Sequence, residues 1–159
     1  MSRILIMSDS TCDLPPEWIR RYDIRIVPTY VHFDQESLAD DGVQLRRTDF
    51  YRRLAASSIL PTTAAPPLGQ TVEIMAQALE DADHVVALTA PAELSAIFNI
   101  FRLAAEQLAP ERVTVIDSRM VTMGLGWQVI EAAEMAAAGS TPAQIEAVVR
   151  AMQPRIDVW

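Results

Sequence analysis

Sulfur and aromatic chemistry are scarce in this chain. Cys12 is its only cysteine, which excludes an intramolecular disulfide and a cysteine-based metal cluster. A lone thiol fits a reducing compartment. Phe, Trp and Tyr supply 6% of the residues, so aliphatic side chains and methionine must fill the interior. Lys and Arg number 13 against 21 Asp and Glu, for a net charge of −8, and that balance repels polyphosphate backbones and anionic bilayers alike. It argues against a nucleic-acid partner. No run approaches the roughly 20 apolar residues of a membrane-spanning helix. The opening Ile4-Leu5-Ile6-Met7 is also too short for the apolar region of a signal peptide. The expectation is a soluble, cytoplasmic protein without a membrane span.

What is present is apolar enough to fold. Half of the 159 residues are hydrophobic and mean hydropathy is +0.14, which suits one domain with a real core and excludes a disordered tail. Ile4-Leu5-Ile6-Met7, stopped by Ser8-Asp9-Ser10-Thr11, reads as a strand buried on both faces. Leu14-Pro15-Pro16-Glu17 opens a short helix through Tyr22. Residues 24–33 read as a second strand, with Pro28 favouring an edge or a bulge. Asp40-Asp41-Gly42 is a turn, and Thr48 is placed to cap a helix running to about Ala56. Residues 60–67 hold three prolines and read as an ordered loop. Helices are expected over 68–81, 92–108, 120–138 and 141–152, and strands over 85–89 and 113–117. Strands alternating with helices predict an α/β fold: a parallel sheet covered by helices on both faces, a three-layer domain. Each strand turns polar at its C-terminal end, where open sheets of this kind bind ligands. Residues 155–159 alternate polar and apolar like a strand beginning.

Most candidate motifs fail on spacing. The second aspartate of Asp9-Ser10-Thr11-Cys12-Asp13 comes four residues after the first, not two, so a phosphotransferase pair is not formed; side chains closing turns onto their own backbone remain the simpler reading. Cys12 lies near a helix start that would lower its pKa, but Asp13, Leu14, Pro15 and Pro16 offer no arginine-closed anion loop. His32 and His84 stand alone, without the spacing of metal ligands. Gly124-Leu125-Gly126 lacks the third glycine of a dinucleotide fingerprint, which leaves close helix packing as its purpose. Two features survive. Thr62-Thr63 sits in the proline-stiffened segment, and Leu94-Ser95-Ala96-Ile97 sits at a helix start, where free N–H groups favour an anion. Together they could hold a carboxylate with hydroxyls and amides, with no catalytic base at hand. No cofactor or metal is implied and the chain is not expected to be an enzyme.

In order along the chain stand Ser8-Asp9-Ser10-Thr11, Asp13-Leu14-Pro15, Ile26-Val27-Pro28, the Asp41 region, Asp49-Phe50-Tyr51 and Pro61-Thr62-Thr63. Leu94-Ser95, Val115-Ile116-Asp117-Ser118 and Gly124-Leu125-Gly126 follow. This series resembles, over the whole chain, the DegV family of bacterial fatty-acid-binding proteins. The resemblance implies two α/β domains with a long-chain fatty acid between them, residues 1–159 being the first and the second lying outside this chain. It implies a carrier that presents the acyl carboxylate to a separate fatty-acid kinase. Thr63 and Ser95 match a threonine and a serine that hydrogen-bond the carboxylate, with Thr62, Ala96 and Ile97 beside them. A basic residue and a histidine of the second domain complete that site in the family.

The departures replace polar groups by apolar ones. Ala64-Ala65-Pro66-Pro67 stand where the family usually has Ser-Gln-Pro-Ser, and Ser95-Ala96-Ile97 where it has Ser-Gly-Thr. Acyl-chain contact survives these changes better than carboxylate recognition. A second reading is therefore kept: a divergent or truncated paralogue domain that serves self-association or regulation, without tight lipid binding. Either way, a domain that normally closes on another should expose an apolar face at the strand C-terminal edge.

Overall fold

In the computed structural model, which describes residues 2–157, the polypeptide alternates strand and helix as expected, with one addition. In chain order the strands are β1 (Ile4–Asp9), β2 (Arg25–Val27), β3 (Tyr30–Phe33), β4 (Glu36–Ala39), β5 (Thr62–Ala64), β6 (His84–Thr89) and β7 (Val113–Asp117). The α-helices are α1 (Pro16–Tyr22), α2 (Arg47–Ala56), α3 (Leu68–Asp81), α4 (Ile97–Leu108), α5 (Thr122–Ala137) and α6 (Pro142–Met152). A four-stranded parallel sheet runs in the order β2-β1-β6-β7, and a three-stranded antiparallel sheet in the order β4-β3-β5.

The continuous apolar runs are explained by burial on both faces. Leu5, Met7, Val85 and Ala87 face one core cluster together with Met75 and Ala78 of α3 and Phe101 and Ala104 of α4. Ile6, Val86, Leu88 and Ile116 face the other, with Leu125, Val129 and Ile130 of α5 and Ile145 and Val149 of α6; Trp18, Ile19 and Tyr22 of α1 pack at its margin. Alternating side chains along one strand thus serve opposite layers. The helix ends follow local chemistry. Thr141 accepts from Gln144 N and the Gln144 side chain accepts from Thr141 N, a complete capping box for α6. The Arg112 guanidinium donates to the Leu79 and Ala82 carbonyls at 2.8 Å each, which satisfies the C-terminal end of α3.

Four expectations are corrected. The second strand is two strands in different sheets: β2 ends at Val27, Pro28 and Thr29 turn the chain, and β3 begins at Tyr30. Pro28 has no N–H for a ladder, and Ser10 Oγ accepts from Thr29 N at 3.1 Å, which fixes the corner. The segment taken for a loop contains β5, which pairs Val31 with Thr63 despite the prolines around it. Arg46, not Thr48, occupies the α2 cap, without a side-chain bond. Residues 92–95 form a turn on Pro91, with Leu94 N and Ser95 N donating to its carbonyl at 3.0 Å, so α4 starts at Ile97. β4 had no clear apolar signal, since Glu36 and Ser37 are exposed. At the chain end Gln153–Arg155 is a short 3-10 turn, and Val158 and Trp159 lie outside the described residues.

The purpose assigned to Gly124-Leu125-Gly126 holds. A Cβ built on Gly126 would stand 2.6 Å from the Cys12 carbonyl oxygen, so α5 crosses the Ser10–Cys12 turn at backbone contact. Gly126→Ala is expected to lower stability by about 1–3 kcal/mol, because forcing apart two backbone segments outweighs the roughly 1 kcal/mol that alanine gains in a helix. Urea denaturation of the variant beside the parent measures it.

Candidate functional site

The direction in which the chain leaves each strand locates the crevice. After β1 it passes through α1 on one face of the sheet to β2. After β6 it passes through α4 on the other face to β7. The connections diverge between β1 and β6, and a topological switch point at the C-terminal ends of such strands is where α/β sheets hold ligands.

A buried carboxylate sits at that point. Asp9, the last residue of β1, accepts from Thr11 N at 3.0 Å and from the Thr11 hydroxyl. Its other oxygen accepts from Ala90 N at 2.8 Å, just past the end of β6. Burial raises the Asp9 pKa above the ordinary carboxylate value, and the hydrogen bonds oppose that rise. The turn-closing reading of Asp9 is the one observed. Cys12 corrects a different expectation. Desolvation pushes its thiol up to about 11, opposite to the lowering expected from a helix start, so it is no thiolate nucleophile at neutral pH. His84 Nε2 lies 2.9 Å from Thr114 Oγ1, and burial with the nearby Arg112 charge lowers its pKa. Among the described residues no group of three His, Cys, Asp or Glu side chains is placed to hold a metal.

The sequence-derived site residues lie on two elements, the turn after β6 and the strand β5. Ser95 is half-buried at the turn between β6 and α4, and its Oγ accepts from Ile97 N at 3.3 Å. The hydroxyl hydrogen remains to donate. Ala96 is exposed, while Ile97 is buried in the first core cluster. Thr62 and Thr63 are exposed on β5, an edge strand of the antiparallel sheet, which follows the C-terminal end of β2. Ala65 and Leu68, which follow β5, pack against the same cluster as Ala90 and Ile97.

Two further features bear on the site, and the first escaped the sequence reading. The first is a cavity of about 790 Å³ between the Ser10–Pro16 segment, β2, β3 and α2, with Ile19, Ile26, Val31, Leu45 and Phe50 among its walls. Its volume falls in the range of small-molecule sites, roughly 300–1,000 Å³. Cross-strand partners share a face, so Thr63, opposite Val31, stands on the cavity side of its sheet. The second is the exposure of Val43, Tyr51, Ile59, Leu60 and Leu94, at 60–80% each, on the segments between β4 and β5 and between β6 and α4. No helix among the described residues is long and apolar enough to cross a membrane.

A parallel sheet with helices on both faces, an antiparallel flap beyond its C-terminal edge and a crevice at its switch point define an open α/β domain. The DegV family model, described as "Uncharacterised protein, DegV family", matches residues 3–159, and the chain belongs to that family. It is 39% identical over 155 residues to a DegV domain-containing protein of Deinococcus radiodurans, covering 98% of this chain and 54% of that one. The solved structure described as "Fatty Acid Binding of a DegV family Protein from Thermus thermophilus" superposes with a TM-score of 0.88 at 30% identity, over 96% of this chain and 54% of that one. DegV of Bacillus subtilis, described as a fatty acid binding protein, gives 0.89 at 25% identity, over 97% and 55%. The chain spans about half the length of these relatives.

Asp9→Ala should leave the Ala90 and Thr11 amides without their acceptor, at a cost of about 1–3 kcal/mol. The pH dependence has a defined sign. The folded state holds the Asp9 proton more tightly than the unfolded chain, so this group's contribution is fully present below the ordinary carboxylate pKa and is lost as pH rises through its elevated folded value. Urea midpoints across the acidic range should decline more steeply in the parent than in Asp9→Ala, which retains the smaller contribution of Asp13. In a separate measurement, Cys12 should react with a thiol reagent only after denaturation.

Proposed function

We propose that this chain is the fatty-acid-binding domain of a cytoplasmic carrier. It holds a long-chain fatty acid at the C-terminal edge of its parallel sheet and presents the carboxylate to a separate fatty-acid kinase. The observation that carries the reading is the cavity of about 790 Å³ with Ile19, Ile26, Val31, Leu45 and Phe50 among its walls, and the Thr63 and Ser95 hydroxyls are the donors this reading assigns to the carboxylate. The ligands named for the related structures supply the chemical class. A carboxylate accepts from both hydroxyls and from amides at the start of α4, whose dipole favours a negative charge. The acyl chain finds its apolar environment in the cavity on Thr63's side of the flap. Thr62 and Ala96 flank the head group, and Ile97 joins the carboxylate end to the core.

Exposed Ile59, Leu60 and Leu94 suit a surface that closes against further protein, a second domain or another copy of this chain. That keeps self-association as an outcome to measure beside lipid binding. The domain works by holding its ligand: the Cys12 thiol stays protonated and Asp9 is occupied with backbone amides. Phosphatase, esterase and kinase assays of the chain should show no turnover.

Oleate binding by native mass spectrometry and titration calorimetry tests the reading. The Thr63→Ala, Ser95→Ala double variant should bind oleate roughly tenfold more weakly than the parent, since hydrogen bonds to a charged acceptor are worth about 1.5–3 kcal/mol when buried and less at an open edge. Ser57→Ala, just beyond α2, should bind like the parent. Equal affinity in all three would overturn the carboxylate assignment.

A further inference from the structure

The antiparallel flap, residues 30–64, is knit within itself and joined to the parallel sheet at one place. The chain leaves the sheet after Val27 through Pro28 and Thr29 and returns through Ala65, Pro66 and Pro67 to α3. Tyr30 and Ala64 are partners across the β3–β5 ladder, so the two crossings lie side by side. Inside the flap β3 pairs with both β4 and β5, and Arg53 of α2 pairs with Glu36 of β4. Among the described residues, none of 30–64 joins either core cluster or packs at its margin. The cavity fills the space in which packing would otherwise join Val31, Leu45 and Phe50 of the flap to Ile19 and Ile26.

Among the described residues, two side-chain hydrogen bonds tie the flap to the rest of the chain. The Tyr30 hydroxyl donates to Gln70 Oε1 of α3 at 2.9 Å, and Tyr30 stands at the crossing itself. Asp40 N donates to the Thr29 carbonyl at 2.8 Å, at the same crossing. The other side-chain tie spans the cavity. Arg47, the first residue of α2, donates to Asp13 Oδ1 at 3.1 Å, and both residues line the cavity. Asp13 is held on the sheet side, its N–H donating to the Ser10 carbonyl at 3.3 Å. Opening the flap about its crossings breaks this ion pair and bares walls that already face a void. Exposed ion pairs are weak, so such a tie yields readily.

We infer that residues 30–64 form a lid hinged at Pro28–Thr29 and Ala65–Pro67 and latched over the cavity by the Arg47–Asp13 ion pair. Hinges are short segments at element ends that absorb a rotation. Prolines lock φ at three of the five crossing residues, which confines the rotation to few bonds. The pairing of β3 with both its neighbours makes the flap swing as one body, a local opening that leaves the sheet folded. The lid follows from the fold. Its use, admitting and releasing an acyl chain, rests on the function proposed above.

Hydrogen exchange read by mass spectrometry on the ligand-free 159-residue chain tests the lid. Amides of β3 and β4 should exchange together and faster than those of β1 and β6; β3 is central in its sheet, so fraying at an edge does not account for it. Arg47→Gln and Asp13→Asn should each raise exchange in β3 and β4 about two- to fivefold, leaving β1 and β6 as in the parent. The double variant should match either single one, because both remove the same contact. Arg52→Gln, which takes an equal charge from a pair with Asp49 inside α2, should leave β3 and β4 unchanged. Exchange of β3 and β4 in step with β1 and β6 overturns the lid, as does parent-like exchange in Arg47→Gln or an additive double variant. Stopped-flow mixing with parinaric acid, a fluorescent long-chain fatty acid, tests the use. Uptake and release should both quicken in Arg47→Gln by the same factor, with affinity unchanged. Faster exchange in β3 and β4 with parent-like uptake overturns the use and leaves the lid standing. A parent that binds no parinaric acid sinks the proposed function, while the exchange result still decides the lid.

Discussion

The architecture turns on one buried carboxylate. Asp9 ends the strand at the middle of the sheet, and it is there that the chain's connections diverge to opposite faces. Strand ends at such a point expose amides that no ladder satisfies, and a buried unpaired amide is expensive. Asp9 satisfies one on its own turn and one on the neighbouring strand. The desolvation that raises its pKa is the cost of that arrangement, offset by the donors it engages. Everything at the site is then placed relative to Asp9. Ala90 leads into the Ser95 turn, and Ser10, beside it, fixes the corner at Thr29 from which the flap departs.

Acids recur as organisers of this edge. Asp9 joins β1 to β6, and Asp117 joins the β7 loop to the β6 turn. Asp41 closes the 41–44 turn by accepting from Val43 N and Gln44 N. All three act on backbone amides and fix the loops they belong to. The net charge is a property of the whole surface, whereas any group near the crevice responds to the few charges around it.

Much of this was legible in the sequence where one physical rule dominated. Ile4–Met7 and Val85–Thr89 could only be strands buried twice, and Thr141-Pro142 announced a helix start. The second sheet was not legible for particular reasons. Pro28 was read as a flaw within one strand, but it is the corner between two. β5 is three residues long, exposed, and held by pairing with β3, which no local pattern reveals. β4 alternates weakly because Glu36 and Ser37 face solvent. At the site, Thr63 and Ser95 could be named from the family pattern, and Gly126 from its spacing. The cavity could not be foreseen, since its walls come from segments far apart in the chain. Cys12 misled because proximity to a helix start was weighed without the burial that outweighs it.

The antiparallel flap has a consequence for how such a protein can diverge. Val31, Ala39 and Leu45 are buried, yet they belong to neither of the clusters that flank the parallel sheet. Phe33 instead meets Phe50 of α2 edge-on at 6.0 Å, and Arg53 stacks over the Phe33 ring, so the flap is knit to its own helix. Substitutions there reshape one wall of the cavity without asking the rest of the interior to repack. The shape of the cavity can therefore change through residues 30–64 while the parallel sheet beneath keeps its packing. The tolerance for change sits where a binding protein has most use for it.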